Sequence, residues 1–536
     1  MNSNLRNSPQ LATAGFLLSG VIFFSFAFRF FNFAEDDAFI PMRYAMNFWQ
    51  GFGWVMNPGE HVEGCTSPLQ LALVTLLLRL ASPDTALYIL KFLGIFVGFA
   101  VLRQAQNISK ALFPAAPWLV AVTPLLIALR PDFAVSMING LETGLATLLV
   151  TGGIAAFLSA GQREGADQRQ AALWFLGAAL ARPELTLIFP LLLIASGKRA
   201  MLSLRAALLL YVAPLVVLLL CRFAFYGSLV PNTYWAKHLA LHDALPRGLN
   251  YLLDFALPTS AYLAAAFYLL GTLRLLSHGI RTAAVIFIPL AFHALFLLRS
   301  GGDWMADGRF FVVMLPLCVS VWSAAILQVI EFGTRIVNEL PRLRPALYTS
   351  AFALAIITLY LLAEDTHERA YHLSMQPGIK NFAQTIRPHV PLEEWKIGNA
   401  DGRLAMGRWI AAHARPGQMV LTSEMGLDTI INPQIRFLDM RGLTNREIAR
   451  MPGVTHDISG AQGERDWMDQ SKPLGRYLHE CRPEWVALLW TVYSPDSSGV
   501  TAINDLYVPA GTFTIYCDGR DLLVATWRRR DIPRPR

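Results

Sequence analysis

A polytopic α-helical membrane protein with a C-terminal α/β domain is the fold class this sequence predicts, on three observations. Apolar runs of membrane-spanning length recur over the first two-thirds of the chain and then stop. Only 15% of the 536 residues are charged and 54% are hydrophobic, with a mean hydropathy of +0.41, far above that of a water-soluble domain. Lys and Arg gather in short segments between alternate apolar runs. That placement accounts for the formal charge of +7 as positive-inside loops, so nucleic acid is not an expected partner.

The runs fall at 11–33, 84–102, 111–130, 144–160, 170–181, 185–197, 203–224, 251–273, 282–298, 310–330 and 346–363, which predicts about eleven spans. The first has no small-residue cleavage site before the acids that follow, so it reads as a retained span rather than a signal peptide. The runs around 170–197 are short and are interrupted by Arg182-Pro183-Glu184, as a closely joined pair or as one broken element. With the N-terminus inside, the inner loops hold Arg6, Arg103, Lys110, Arg163, Arg169, Lys198, Arg199, Arg205, Arg274, Arg281, Arg335, Arg342 and Arg344. Their only acids are Glu164, Asp167, Glu331 and Glu339.

The same layout sends every unusual polar cluster to the outer side: Glu35-Asp36-Asp37, Glu60 to Pro68, Arg130 to Asp132, Asn139 to Glu142, Arg182 to Glu184, Tyr226 to His238, and Arg299 to Arg309. A lone acid there would only mark the exit of the first helix from the bilayer. So many polar loops on one face point instead to an active face. In the first outer loop, 34–83, two segments read as helices lying in the interface plane: 41–49, ended by Gly51-Phe52-Gly53, and 69–80, too short to span and opened by Pro68.

From 364 the composition becomes ordinary. Helical periodicity covers 397–414, and β-prone stretches recur at 419–422, 486–490, 512–516 and 522–527. The chain thus divides into a transmembrane domain, 1–363, and an α/β domain, 364–536, large enough for its own core, which eleven spans place outside. Five cysteines are too few for a disulfide scaffold; Cys481 and Cys517 would pair if that domain is extracytoplasmic.

Adjacent carboxylates cannot face the same way in a helix or a strand, so one of Asp36 and Asp37 is free to face a cavity while the other anchors a turn or a metal. A carboxylate at this level suits general-base work on a hydroxyl attacking an activated carbon. Nucleotide sugars are not normally available outside the cytoplasm, whereas a sugar on polyprenyl phosphate is, and its phosphate needs donors. Arginine forks match phosphate oxygens, which nominates Arg309, Arg182 and Arg43, with Lys237 and His238 as weaker candidates; the bland reading of each is a side chain snorkelling at a helix end. His61 and Glu63 could join Asp36 or Asp37 around a divalent cation, but no HExxH or cysteine-based set is present. The loop Glu63 to Pro68 reads as shaping the site rather than reacting. Asp303 suits sugar hydroxyls or a pair with Arg309, and Trp304 suits a sugar face or the interfacial belt.

The stretch EDDAFIPMRYAMNFWQGFGWVMNPGEHVEGCTSPL resembles the first outer loop of GT-C superfamily glycosyltransferases. Within them it is most similar to the branch of the mycobacterial terminal β-(1→2)-arabinofuranosyltransferase and the enzymes that place arabinofuranose on type IV pilins. SGGDWMADGRFFVVMLP and FLDMRGLTNREIAR resemble later motifs of that branch. The resemblance implies an inverting transfer of a sugar, D-arabinofuranose, from decaprenyl or undecaprenyl phosphate to a hydroxyl of a cell-envelope glycan or protein, without nucleotide. It implies a bacterial inner membrane, with active site and C-terminal domain in the periplasm. It puts the base at Asp36 or Asp37, favouring Asp36, and lines the donor pocket with Arg43, Tyr44, Asn47, Glu63, Asp303, Trp304 and Arg309. Mannose, glucose or aminoarabinose are alternative sugars. A glycan ligase or polymerase would need a second phosphate clamp, and a transporter would favour inverted repeats that the segmentation does not show.

Overall fold

The computed structural model describes residues 9–340, 363–370 and 400–533, apart from 163–166, 198–199, 257–260, 304, 306–307, 424, 452–472, 491–506 and 518–519, with isolated positions between 341 and 349. Six helices among the described residues are long and apolar enough to cross a membrane: Pro9–Arg29, Pro83–Leu112, Thr143–Gly161, Ser203–Tyr226, Ile280–Ser300 and Leu315–Glu339. A seventh span arises if Leu119–Ala128 and Pro131–Ile138, bent by 70° at their junction, are taken as one.

Among the described residues, several of the eleven expected runs are not single helices of spanning length. A hydrocarbon core of about 30 Å takes about 20 helical residues, and Arg169–Ala181 has 13 and Ile188–Ala195 has 8. The run at 251–273 divides between Leu241–Ala256, whose start carries Asp243 and Pro246, and Ala261–Ser277. The run at 346–363 lies almost wholly outside the described residues. The inner-face reading has a local counterpart: Arg274 and Glu331, assigned to different inner loops, form an ion pair at 2.8 Å.

Two breaks position the site. Arg130 and Arg182 each precede a proline, whose ring disfavours the helical conformation of the residue before it. Both are extended, at φ −91°, ψ 108° and φ −145°, ψ 118°. Each break turns an arginine out of its helix at the polar end of the bundle. In the first outer loop the chain forms a 3-10 turn, Asp36–Ala38, then the helices Phe39–Trp49 and Pro68–Leu80. The second opens as expected, with Pro68 in the first turn and Ser67 accepting the Gln70 N–H at 3.2 Å.

The C-terminal region is a five-stranded mixed sheet with helices. Its strands are β1 (Met419–Thr422), β2 (Arg436–Asp439), β3 (Trp485–Trp490), β4 (Tyr507–Cys517) and β5 (Arg520–Arg529), in the order β2-β1-β3-β5-β4. β1 runs parallel to β2 and β3, pairing Leu421 with Leu438 and Val486, while β5 is antiparallel to β3 and β4. β2 went unpredicted because the charged residues at both its ends, Arg436 and Asp439, leave only Phe437 and Leu438 as an apolar signal. One apolar cluster is the region's own, built on Leu421, Leu438, Val486, Tyr507 and Trp527. A second is shared: Ile40, Tyr44, Met56 and Leu71 of the first loop lie in one core with Met406, Val420, Phe437 and Trp485. The region thus has a core of its own and shares a second with the first loop, whose apolar face the sheet buries. The expected Cys481–Cys517 pair is also set aside: Cys481 is a free thiol, and the side chain of Cys517 lies outside the described residues.

Candidate active site

The site is built from the acidic turn outward. Lys91, fully buried, donates to the carbonyls of Phe33 and Ile138, the latter at 2.9 Å, and the Glu35 N–H donates to Asn139 O at 3.1 Å. The turn is thereby fixed to the end of the Pro131–Ile138 helix. A 3-10 turn has about three residues per revolution, so neighbouring side chains diverge by roughly 120°. Asp36 is buried, and its Oδ1 accepts the backbone N–H of Leu427 at 2.9 Å. Asp37 stays partly open, its side chain 26% exposed, with Oδ2 3.4 Å from Nη1 of Arg309.

Arg309 is buried and forked on Asp303, with Nε to Oδ2 at 2.5 Å and Nη2 to Oδ1 at 3.3 Å. Burial works against its charge, but Asp303 and Asp37 outweigh burial and hold the guanidinium protonated beyond the usual arginine range. Arg182 makes the matching set. Its Nε and Nη2 reach Glu142 Oε1 at 3.1 and 2.9 Å, and its Nη1 reaches Glu184 Oε1 at 3.2 Å. One ring joins the two sets: the Arg182 and Arg309 guanidinium carbons lie 4.5 and 5.3 Å from the centroid of Phe310. Phe310 is pinned at both backbone groups, its N–H donating to Tyr251 Oη at 3.2 Å and its carbonyl accepting from His293 Nε2 at 2.7 Å. That bond fixes the Nε2–H form of the imidazole.

Two cations and four carboxylates thus share one corner of the bundle's polar end. Asp37, Glu142 and Glu184 are the members with exposed side-chain surface, at 26%, 13% and 16%. Arginine forks beside a partly open carboxylate can neutralise a phosphate and take a proton from a hydroxyl within the same site. Beside them Cys65 is buried, which pushes its thiol well above the ordinary range, and the carboxylates of Glu63, Glu142 and Asp37 push the same way. A thiol kept protonated is inert, so the loop shapes the site, as its sequence suggests.

The structure therefore brings together Asp37, Arg182, Asp303 and Arg309. Other sequence candidates have their polar atoms engaged elsewhere. Arg43 donates to the carbonyls of Met56, Thr429 and Ile435, each at 3.2 Å; burial lowers its pKa to about 10, against the influence of Asp428. Tyr44 Oη donates to Val62 O and accepts the Gly64 N–H, both at 2.8 Å, and Asn47 donates to Val55 O and Met56 O. These three brace the loop, with each of their donor atoms already bonded to a backbone carbonyl. Glu63 pairs with Arg222 at 2.7 Å; burial raises its carboxyl and Arg222 works against that. Lys237 and His238 stand exposed after the short helix Asn232–Ala236, with His238 3.2 Å from Arg299. Trp304 lies outside the described residues.

No group of three or more His, Cys, Asp or Glu suited to a metal occurs among the described residues. The His61 ring turns to Phe225 O at 3.0 Å and Glu63 to Arg222, so this pair does not fit the divalent cation considered from sequence. Sequence reasoning missed Lys91, His293 and Phe310. A lysine and a histidine inside apolar runs were legible signals; the phenylalanine, one of 33, was not.

Six of the seven polar clusters are linked by such contacts, including Asn232 N–H to Glu63 O at 2.9 Å and Arg299 to His238 at 3.2 Å, while Arg130 pairs with Asp132 inside its own cluster. Residues 389–529 match a family described as a domain of unknown function, DUF8728. The terminal β-(1→2)-arabinofuranosyltransferase of Corynebacterium glutamicum is 29% identical over 358 residues, 56% of this chain and 51% of that protein; the chain thus spans about half the length of this curated relative. Two solved structures share the fold at 13% identity. ArnT of Cupriavidus metallidurans, bound to undecaprenyl phosphate, aligns over 95% of this chain and 97% of its own with a TM-score of 0.51. The oligosaccharyltransferase AglB of Archaeoglobus fulgidus, in complex with an inhibitory peptide and a dolichol-phosphate, aligns over 90% and 69% with a TM-score of 0.52.

Proposed function

We propose that the chain is a glycosyltransferase of the GT-C superfamily, which transfers a glycosyl group from a polyprenyl phosphate to an acceptor hydroxyl at the periplasmic face of a bacterial inner membrane. The observation that carries the reading is the partly open carboxylate of Asp37 held 3.4 Å from the buried Arg309. Asp37, rather than the sequence-favoured Asp36, takes the part of the base. It accepts the proton as the acceptor oxygen bonds to the anomeric carbon from the face opposite the phosphate. The bond from that carbon to the phosphate oxygen breaks with its electron pair, leaving polyprenyl phosphate, whose added charge Arg309 and Arg182 are placed to neutralise. The anomeric centre inverts.

Two fold relatives have solved structures with undecaprenyl phosphate or a dolichol-phosphate bound, which supports the donor class. The Corynebacterium relative and the first-loop motif favour D-arabinofuranose, with a cell-envelope glycan or protein as acceptor. The test is purified protein with synthetic decaprenyl-phosphate arabinofuranose and an arabinan oligosaccharide, read by product mass. Transfer is expected from wild type, and a fall of about 1,000-fold or more in Asp37→Asn. A fully active Asp37→Asn removes Asp37 from the chemistry. Transfer from the mannose or glucose lipid instead reassigns the sugar.

A further inference from the structure

We propose that the C-terminal region, including the DUF8728 match, braces the catalytic turn: the backbone at Gly426-Leu427 grips Asp36 and so aims Asp37 at Arg309. Asp36 is on this account a positioning residue. The proposal deepens the reading above, since it takes Asp37 as the base.

Three observations carry it. The first is the Leu427 N–H donating to Asp36 Oδ1 at 2.9 Å across 391 positions of sequence. The second is the closeness of approach: a Cβ on Gly426 would lie 2.2 Å from Asp36 Cγ and 2.3 Å from Asp36 O. Only glycine lets the two backbones meet there. The third is the breadth of the attachment around that point. Asn57 exchanges two bonds with the Phe437 backbone, at 2.8 and 2.9 Å. Arg43 reaches Thr429 O and Ile435 O, Asn232 Nδ2 reaches the carbonyls of Gly442, Leu443 and Asn445 at 2.7 to 3.1 Å, and Arg446 reaches Tyr226 O and His61 O. A second close approach, of Gly64 to Thr444, would put a Cβ 2.6 Å from the threonine methyl.

The physical logic is register. With adjacent side chains about 120° apart in the 3-10 turn, fixing Asp36 on one side dictates where Asp37 goes on another. On the membrane side, Glu35 N–H to Asn139 O and Lys91 to Phe33 O and Ile138 O hold the entry to the turn. The Asp37 carboxylate meets Arg309 and keeps 26% of its side chain exposed, where a substrate hydroxyl can reach it.

The test uses the full chain in lipid nanodiscs with two readouts: transfer kinetics with decaprenyl-phosphate arabinofuranose, and amide hydrogen exchange over residues 33–42 without substrate. Asp36→Asn keeps an oxygen that can accept the Leu427 N–H, so its kcat is expected within about tenfold of wild type. Asp36→Ala and Gly426→Val are expected to lose about 100-fold in kcat at nearly unchanged donor KM, as a misplaced base would, with faster exchange across the turn. Asp37→Asn is expected to lose activity with exchange unaltered. Asp36→Asn as inactive as Asp37→Asn behind a protected turn overturns the proposal, as does Gly426→Val with normal exchange and turnover. If wild type transfers no sugar, the functional reading fails while the exchange arm still decides whether the brace exists.

Discussion

Arg130-Pro131-Asp132 and Arg182-Pro183-Glu184 are nearly the same tripeptide, and the fold uses them in opposite ways. Both arginines are extended by the proline that follows and both leave a helix at the polar end of the bundle. Arg130 closes on its own neighbour: Nε to Asp132 Oδ1 at 3.0 Å and Nη2 to Oδ2 at 2.7 Å, with the two side chains only 5% and 2% exposed. Around it lie Phe255 O, the ring of Phe311, and helix 363–370, whose Thr366 Oγ1 donates to Leu129 O and whose Arg369 pairs with Asp365. Arg182 instead divides its fork between Glu142 and Glu184, keeps both acids partly exposed, and stacks on the ring that Arg309 also covers. A pair sealed on itself contributes architecture. A pair left open to solvent keeps charge ready for a ligand.

The comparison is broken most severely at the sealed pair. Asp132→Ala is expected to cost about 3–5 kcal/mol, because it strands a buried guanidinium, and to show as loss of folded protein in detergent melting curves. Arg182→Gln should leave the fold intact by the same assay, since the acids it abandons can hydrate, while raising donor KM by about tenfold or more, near 1.4 kcal/mol. Equal destabilisation by the two would abolish the distinction. Arg182→Lys sharpens it, because a point charge cannot reproduce the fork; an intermediate rise in KM is expected. The smallest effects come from changing acid length. Asp132→Glu should cost about 1–3 kcal/mol by overfilling a closed site, whereas Glu184→Asp should stay within about 1 kcal/mol.

Much of this was legible in sequence. Apolar periodicity and charge bias located the membrane part. The end of the apolar run at 130 and the Arg182-Pro183-Glu184 break marked both exits, and the four strands assigned from sequence fall on β1, β3, β4 and β5. Arg309 with Asp303, and the divergence of Asp36 from Asp37, follow from short-range pattern and pitch. The choice between those two aspartates did not. Asp36 looked the better base by resemblance, yet its partner is a backbone N–H nearly four hundred residues away. Arg43 shows the same limit. Within PMRYAMN it reads as a free fork for phosphate, but the three carbonyls that consume it belong to positions 56, 429 and 435. Span number is less legible for a different reason: hydropathy registers apolar length, not the breaks that leave Arg169–Ala181 and Ile188–Ala195 too short alone.

What the sequence determined by itself is the chemistry present: a membrane bundle, an acidic turn after the first helix, and arginines set at helix ends by proline. Those depend on local sterics and on the transfer of side chains between water and lipid, both readable residue by residue. Which carboxylate stays open, and which arginine is sealed, only the tertiary structure decided. Backbone donors and carbonyls carry no side-chain signature, and they are placed opposite a given aspartate or arginine only when distant segments meet.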